Sequence, residues 1–115
     1  MSGALTPAIR AELTIVGAEL TMYLRFMVGD GVRARLVFTD RETGAPYPAP
    51  QGIWALVTNA QGPQRTLGVE DMDPDGDGAW VFDIAGDTPC TWRVFGGCTG
   101  PRQASADPLV FEIVC

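Results

Sequence analysis

Histidine and lysine are both absent from this sequence of 115 residues, and its eight positive charges are all arginine. Histidine is the side chain that most readily acts as a base near neutral pH, and lysine is the usual Schiff-base nucleophile. Ser2 and Ser105 are the only serines, so a serine triad would have no histidine to activate it. The sequence therefore predicts a structural or binding protein and not an enzyme, with no catalytic residues and no cofactor.

Long apolar runs and a secretion leader are also missing. No stretch approaches the roughly 18 apolar residues that a membrane helix needs, and the first 28 residues have no basic start followed by an apolar centre. The net charge of −6 and the pI of about 4.3 repel phosphate backbones and anionic lipid surfaces. We expect a soluble protein made in the cytoplasm that binds neither nucleic acid nor membranes.

Cysteine is scarce, and Cys90, Cys98 and Cys115 cannot form a closed set of disulfides because their number is odd. They also lack the paired C-x-x-C spacing of zinc sites. Buried free thiols are the expectation. A Cys90–Cys98 bridge is the alternative, if the protein matures outside the cell.

One acidic segment begins like a calcium loop. Asp71, Asp73, Asp75 and Asp77 alternate along the chain, and Gly76 occupies the sixth position. The pattern then fails, because the twelfth position holds Phe82 instead of glutamate, or Ile84 when the count starts at Asp73. We interpret the segment as a solvated acidic hairpin turn and expect no metal; calcium held loosely between subunits is the weaker alternative.

What the sequence does contain is 46% hydrophobic residues, 14 glycines and 9 prolines, a composition typical of one folded domain with many turns. Alternation of apolar and polar residues predicts short strands, and the apolar run 53–58 predicts a strand buried on both sides. Gly96 to Gly100 is expected to connect two strands. The predicted strands, roughly seven or eight in all and antiparallel, include residues 32–38, 53–58, 65–69, 80–84, 91–95 and 109–114.

The N-terminal region has two interpretations. Between Glu12 and Val28 the apolar residues alternate as in a strand, but they also fall at the three- and four-residue spacings of an amphipathic helix. Gly17 and several β-branched residues favour the strand. We therefore divide the chain into residues 1–19, an N-terminal arm or first edge strand, and residues 20–115, an all-β immunoglobulin-like sandwich.

The order of the turns carries a resemblance. Gly29-Asp30, the strand 32–38, Gly44-Ala45-Pro46, the Asp-Gly turn before Trp80 and the terminal strand resemble the immunoglobulin-like modules of tailed-bacteriophage particles. The similarity covers about residues 20–115 and includes the N-terminal domain of baseplate upper proteins. Those proteins continue into a fibre or receptor-binding region, whereas this sequence stops at Cys115.

The resemblance implies a structural accessory of the virion, made in the host cytoplasm, that decorates or cements the capsid by docking on its symmetric lattice. Its partners would be the major capsid or tail protein and further copies of itself. A tail-tip, baseplate or neck adaptor is one alternative. The other is a carbohydrate-binding adhesion module, since exposed aromatic rings stack on sugars.

Two groups of residues are candidates for partner contact. Leu5, Pro7, Ile9 and Leu13 belong to the N-terminal arm, which could order itself in a groove on assembly. Tyr47 lies within the proline-rich segment 46–50 and Trp54 follows it, and both could contact a protein or a glycan. Trp80 and Trp92 are in phase with apolar neighbours, so they are expected in the core.

Overall fold

The computed structural model describes residues 9–17, 24–29, 31–47, 50–62, 64–85, 88–100 and 103–114. These ranges form short strands and a single 3₁₀ turn at Val69–Asp71. None of the described residues forms a helix long and apolar enough to cross a membrane. The strands are β1 (Ile9–Ile15), β2 (Arg25–Met27), β3 (Gly31–Asp40), β4 (Ile53–Asn59), β5 (Arg65–Gly68), β6 (Asp73–Pro74), β7 (Ala79–Ala85), β8 (Cys90–Cys98), β9 (Ala104–Ser105) and β10 (Leu109–Val114).

The strands form two sheets. The first has the order β1-β3-β7-β6, and the second has the order β2-β10-β8-β4-β5, with β9 also paired to β8. This corresponds to the immunoglobulin arrangement, in which strands A, B, E and D form one sheet and C, F and G lie in the other. The prediction of an all-β immunoglobulin-like sandwich is confirmed.

The count and direction of the strands differ slightly from the expectation. Seven of the described strands have four or more residues, and the other three, β2, β6 and β9, have only two or three. The pairing of β2 with β10 is parallel, whereas the other strand pairs are antiparallel. The strand interpretation of residues 12–28 holds at β1 and β2, while residues 18–23 lie outside the described part.

The core lies between the inner faces of the two sheets. Val32, Ala34, Leu36 and Phe38 of β3 are buried and alternate with more exposed residues, as the period of a half-buried strand requires. From the second sheet, Phe111 stacks on Trp92 with ring centroids 6.2 Å apart and meets Phe26 edge-on at 5.8 Å. Burial of these side chains is the main source of the stability of the domain.

Two sequence predictions about individual strands are wrong. Strand β4 is not buried on both sides: Ile53, Ala55 and Val57 are buried, and the residues between them are half-buried. The glycine-rich segment is not a connection, because Gly96 and Gly97 lie inside β8. A β-carbon on Gly96 would lie 3.3 Å from the side chain of Leu36, so glycine permits close approach of the two sheets here.

Strands β9 and β10 are two parts of one strand alongside β8, interrupted by a bulge. Ser105 lies opposite Gly97 and Leu109 lies opposite Val94, so four steps along this strand match three steps along β8. The extra residue defines a β-bulge. Pro108 falls in this interruption, where its missing N–H removes no hydrogen bond from the ladder.

The proposed bridge between Cys90 and Cys98 is excluded by their positions. They are the first and last residues of β8, which places their Cα atoms roughly 26 Å apart at the rise of an extended strand. A disulfide requires a Cα separation of about 4.4–6.8 Å. Neither cysteine forms a disulfide. Cys98 is buried, and burial raises the pKa of its thiol. Cys90 is half-buried, and Cys115 lies outside the described residues.

Candidate functional site

The outer face of the first sheet is charged and its charges are paired. Arg33 Nε lies 2.9 Å from Asp83 Oδ1, and Arg35 Nε lies 2.8 Å from Asp75 Oδ2. On β1 the exposed side chains of Arg10 and Glu12 approach to 3.0 Å. This face is a solvated surface on which exposed ion pairs contribute little stability each.

The Arg33–Asp83 pair should make a small contribution to folding stability that is lost in acid. Its hydrogen bond from Arg33 holds the pKa of the Asp83 carboxyl below its ordinary value of 3.8. A lowered folded-state pKa gives stability that is present above the ordinary pKa and is lost as the pH falls through the folded-state value. Asp83→Asn should therefore be slightly less stable than the wild type at pH 7 and indistinguishable from it in strong acid, measured by denaturant unfolding across pH.

Asp77→Asn is the matched control, since no described residue forms an ion pair with Asp77. A deficit of Asp83→Asn that persisted unchanged at the lowest pH would contradict the assignment. Added salt should shrink the difference at pH 7, because the Asp83 side chain is 72% exposed.

The outer face of the second sheet has a different character. Trp54 and Leu56 of β4, Phe95 of β8 and Val110 of β10 lie out of phase with the buried residues of their strands, and Val110 is 48% exposed. Leu56 is directly opposite Phe95 in the ladder, so their side chains are neighbours on this surface. We call these four residues the apolar face.

Trp54 has an unusual setting within the apolar face. The residues opposite it on the two neighbouring strands are Gly97 and Gly68, so neither strand places a side chain beside the indole. A β-carbon on Gly97 would collide with the carbonyl oxygen of Ala104, which explains why this position carries no side chain. The half-buried Trp54 is thus the largest side chain on the outer surface of this sheet.

The apolar face has charged neighbours. Arg93 is exposed and lies opposite both Val110 and Thr58, and Glu112 is half-buried on β10. An apolar centre with a charged or polar rim is the usual anatomy of a protein interface. This arrangement can bind a partner surface but offers no acid and base pair for chemistry.

The residues predicted to contact partners are spread over different parts of the molecule. Leu5 and Pro7 lie outside the described residues. Ile9 is 2% exposed, so its side chain fills the core instead of facing a partner, while Leu13 is half-buried against that core. Tyr47 also packs against the core, and its N–H donates to the Phe38 carbonyl at 2.9 Å. Trp54 alone of the described candidates lies on the apolar face.

Leu56, Phe95 and Val110 were missed by the sequence reasoning. The signal that could have found them is phase: each is apolar at a position where the alternation of its strand requires an outward side chain. Inner residues such as Ala55, Val94 and Phe111 establish that phase. One outward apolar residue does not indicate a binding surface; several do when they lie side by side on neighbouring strands.

Two carboxylates of the acidic segment are held by separate partners. Asp75 is engaged by Arg35, and Asp71 accepts a hydrogen bond from the Gly68 N–H at 3.1 Å. Asp73 belongs to β6 and lies opposite Val81. Among the residues that the structure describes, no three acidic, cysteine or histidine side chains are grouped to hold a metal ion.

A groove of about 790 Å³ opens where the free edge of β1 passes β9 and the bulge. Its lining includes residues 9–13 of β1, residues 103–105 with β9, Asp107, Pro108 and Arg41. Among the described residues of this lining, the charged side chains are Arg10, Arg41, Glu12 and Asp107. Two are positive and two are negative, so the described lining is balanced in charge, in a chain whose net charge is −6.

Comparison with known proteins adds evidence about the fold alone. No protein-family model matches the chain. No curated protein matches it. Among solved structures, it is similar to a β-glucosidase from Listeria innocua in complex with glucose, with a TM-score of 0.50 and 9% identity over 91% of this chain. The same enzyme in complex with gluconolactone gives a TM-score of 0.49 and 10% identity over 91% of this chain.

The chain corresponds to only 16% of the β-glucosidase in each structure, about a sixth of its length. At 9% identity the likeness concerns the path of the backbone and carries no information on activity.

Proposed function

We propose that this protein is a non-enzymatic structural accessory of a tailed-phage particle that decorates or cements the capsid through its apolar face. The proposal combines the resemblance of the turn pattern to virion modules with the location of Trp54, Leu56, Phe95 and Val110 on one sheet. The virion partner would be a major capsid or tail protein.

The observation that carries the docking claim is the contrast between the two outer faces. Both are surfaces of sheets in the same sandwich. The first carries ion pairs beside the smaller apolar residues Val37 and Val81, whereas the second carries a tryptophan, a leucine, a phenylalanine and a valine. Exposure to solvent alone does not explain why the two faces differ in composition. Aromatic residues and depletion of charge mark the centres of protein interfaces.

Repetition would make a modest interface effective. A capsid presents the same surface many times, and a protein that holds two neighbouring subunits binds the second at a high effective concentration. A small rigid sandwich can in this way strengthen a shell without any single strong contact.

Leu56→Gln tests the docking face. The change removes apolar area from the centre of the apolar face, and we expect it to weaken attachment to particles by about tenfold or more, the loss typical of a central interface residue. The measurement is the occupancy of purified particles lacking the protein after titration with each variant. Val37→Gln is the matched control, because Val37 is also half-buried on a central strand but faces outward from the charged sheet.

Equal loss in both variants, or undiminished attachment of Leu56→Gln with its fold intact, would refute docking through the apolar face. Quantitative mass spectrometry of native particles then tests the location. A copy number matching the capsid lattice and a shell that becomes fragile without the protein are expected for decoration. A few copies, as threes, sixes or twelves, would instead indicate a tail-tip, baseplate or neck adaptor.

The setting of Trp54 favours carbohydrate binding as a second candidate function. The ring has glycines opposite it on both sides, and the Glu70 carboxylate fills the space that a side chain at Gly68 would occupy. An aromatic ring with a carboxylate nearby offers a sugar both a stacking surface and a hydrogen-bond acceptor. A glycan array probed with the wild type and with Trp54→Ala tests this candidate. A signal lost in Trp54→Ala would support adhesion, and an array without signal for the wild type would reject it.

A further inference from the structure

Strand β1 has one free side. It pairs with β3 from Ile9 opposite Asp40 to Ile15 opposite Ala34, and no described strand pairs with its other side. Residues 9–13 face the groove, whereas β2 covers the neighbouring edge at β10. A free edge of this kind presents unpaired N–H and C=O groups to any strand that approaches it.

The hydrogen-bond pattern shows which groups point outward. The Val16 N–H donates to the Arg33 carbonyl at 2.8 Å, so the even-numbered residues of β1 direct their backbone groups toward β3. Antiparallel strands alternate strictly, and therefore Ile9, Ala11 and Leu13 direct theirs toward the free side. An antiparallel strand added to β1 must bond to these three residues through residues whose own backbone N–H and C=O groups are not yet bonded.

A second copy of β1 meets this requirement when a two-fold axis passes through Ala11. Ala11 then pairs with Ala11 of the second copy, and Ile9 pairs with its Leu13, through backbone groups that all point toward the partner. A register shifted by one residue fails. It would place an odd-numbered residue of one copy, whose backbone groups are free, opposite an even-numbered residue of the other copy, whose backbone groups already bond to β3.

The charges select the same register. With the axis at Ala11, Arg10 lies directly opposite Glu12 of the second copy, and Glu12 lies opposite its Arg10. These are non-hydrogen-bonded positions, where side chains approach each other most closely. Moving the axis to Glu12 or to Arg10 would place two carboxylates or two guanidiniums face to face.

The surroundings of the edge also suit a second copy. The charges of the described residues that line the groove balance, so this lining adds no net repulsion between two copies of an acidic protein. The side chains of Arg10 and Glu12 are 64% and 53% exposed and already paired along one strand, so they can exchange partners without unfolding.

From these observations we infer that β1 is a self-association edge, through which two copies of this chain pair as antiparallel strands about a two-fold axis at Ala11. The partner is another copy and not a different protein, because the free backbone groups and the charges of β1 complement themselves in a single register. The contact is small, so it is weak in dilute solution and becomes populated where copies are held side by side.

Cysteine crosslinking tests the register. Arg10→Cys and Glu12→Cys are prepared separately and oxidised at high protein concentration, alone and as an equimolar mixture. The two introduced thiols face each other only in a mixed pair, so we expect a disulfide-linked dimer in the mixture well above either variant alone and above the wild type. No excess in the mixture would overturn the inference.

Reversal of charge tests the self-complementarity. Glu12→Arg places arginines opposite each other at both positions, and we expect it to weaken self-association by at least about tenfold in sedimentation equilibrium. The double variant Arg10→Glu with Glu12→Arg should restore it, since opposite charges face each other again. Asp77→Arg, the same change of charge in the exposed acidic turn, should leave it unaltered.

The double variant returns to the wild-type net charge of −6, so Asp77→Arg, which has the same net charge as Glu12→Arg, is the control that excludes a general charge effect. With that control unaltered, restoration is the decisive outcome, and failure of the double variant to recover would refute the register. Both experiments use purified protein without particles. Their result is therefore independent of docking through the apolar face, and either proposal can fail while the other stands.

Discussion

Phe111→Ala is expected to lower the free energy of unfolding by about 3–5 kcal/mol, the usual loss when a buried aromatic residue is truncated. Phe111 is 2% exposed, stacks on Trp92 at 6.2 Å and contacts Phe26 edge-on at 5.8 Å. A domain of this size typically has about 5–15 kcal/mol of stability in all. The variant should unfold at a much lower denaturant concentration with a similar slope.

Val110→Ala is the control for this prediction. It removes an apolar side chain from the adjacent residue of β10, but that side chain is 48% exposed, so a change within about 0.5 kcal/mol is expected. Should Phe111→Ala be too unstable to purify, Phe111→Leu retains most of the volume and gives a measurable intermediate loss. Equal stability of Phe111→Ala and Val110→Ala would contradict the inward placement of Phe111.

Gly78→Ala should be the second strongly destabilised variant, by about 2–5 kcal/mol. Gly78 has φ of 71°, a left-handed conformation that costs an alanine free energy. In addition, a β-carbon there would lie 2.7 Å from the Tyr47 carbonyl oxygen and 2.8 Å from that of Phe38. The Gly78 carbonyl also accepts a hydrogen bond from the Phe38 N–H of β3. Moving the turn away to relieve the collision would break this hydrogen bond.

Gly76 provides a control in the same turn. It has φ of 86°, but a β-carbon on it would have no atom within 4 Å. Gly76→Ala therefore bears only the conformational cost, about 1–2 kcal/mol. Thermal or denaturant unfolding of the two variants separates strain from collision. Equal losses of unfolding free energy in the two variants would show that the protein relieves the contacts of the new β-carbon with Tyr47 and Phe38 at no cost in stability.

The inner faces of the long strands could be predicted from the sequence. Alternation placed Val32, Ala34, Leu36 and Phe38 in the core, and the acidic turn before Trp80 was expected to join two strands, as β6 and β7 are joined. These features are local, because successive side chains of an extended chain point to opposite sides whatever lies beyond them.

The docking candidates were harder to predict for the opposite reason. Trp54 is a candidate for partner contact from the sequence, but its relation to Leu56, Phe95 and Val110 depends on which strands are neighbours. Those residues are distant in sequence and become one surface only because β4, β8 and β10 are adjacent. Ile9 was expected to contact a partner, and its pairing with β3 instead turns its side chain into the core.

The sequence by itself determined the all-β character, the inward and outward phase of β3 and the chemistry that the chain lacks, since all of these follow from residue type and spacing. Only the tertiary structure decided which strand has a free edge, which outer face is apolar and how far apart Cys90 and Cys98 lie. Those properties depend on pairings between distant segments, and the same local pattern is compatible with many such pairings until the whole sandwich packs.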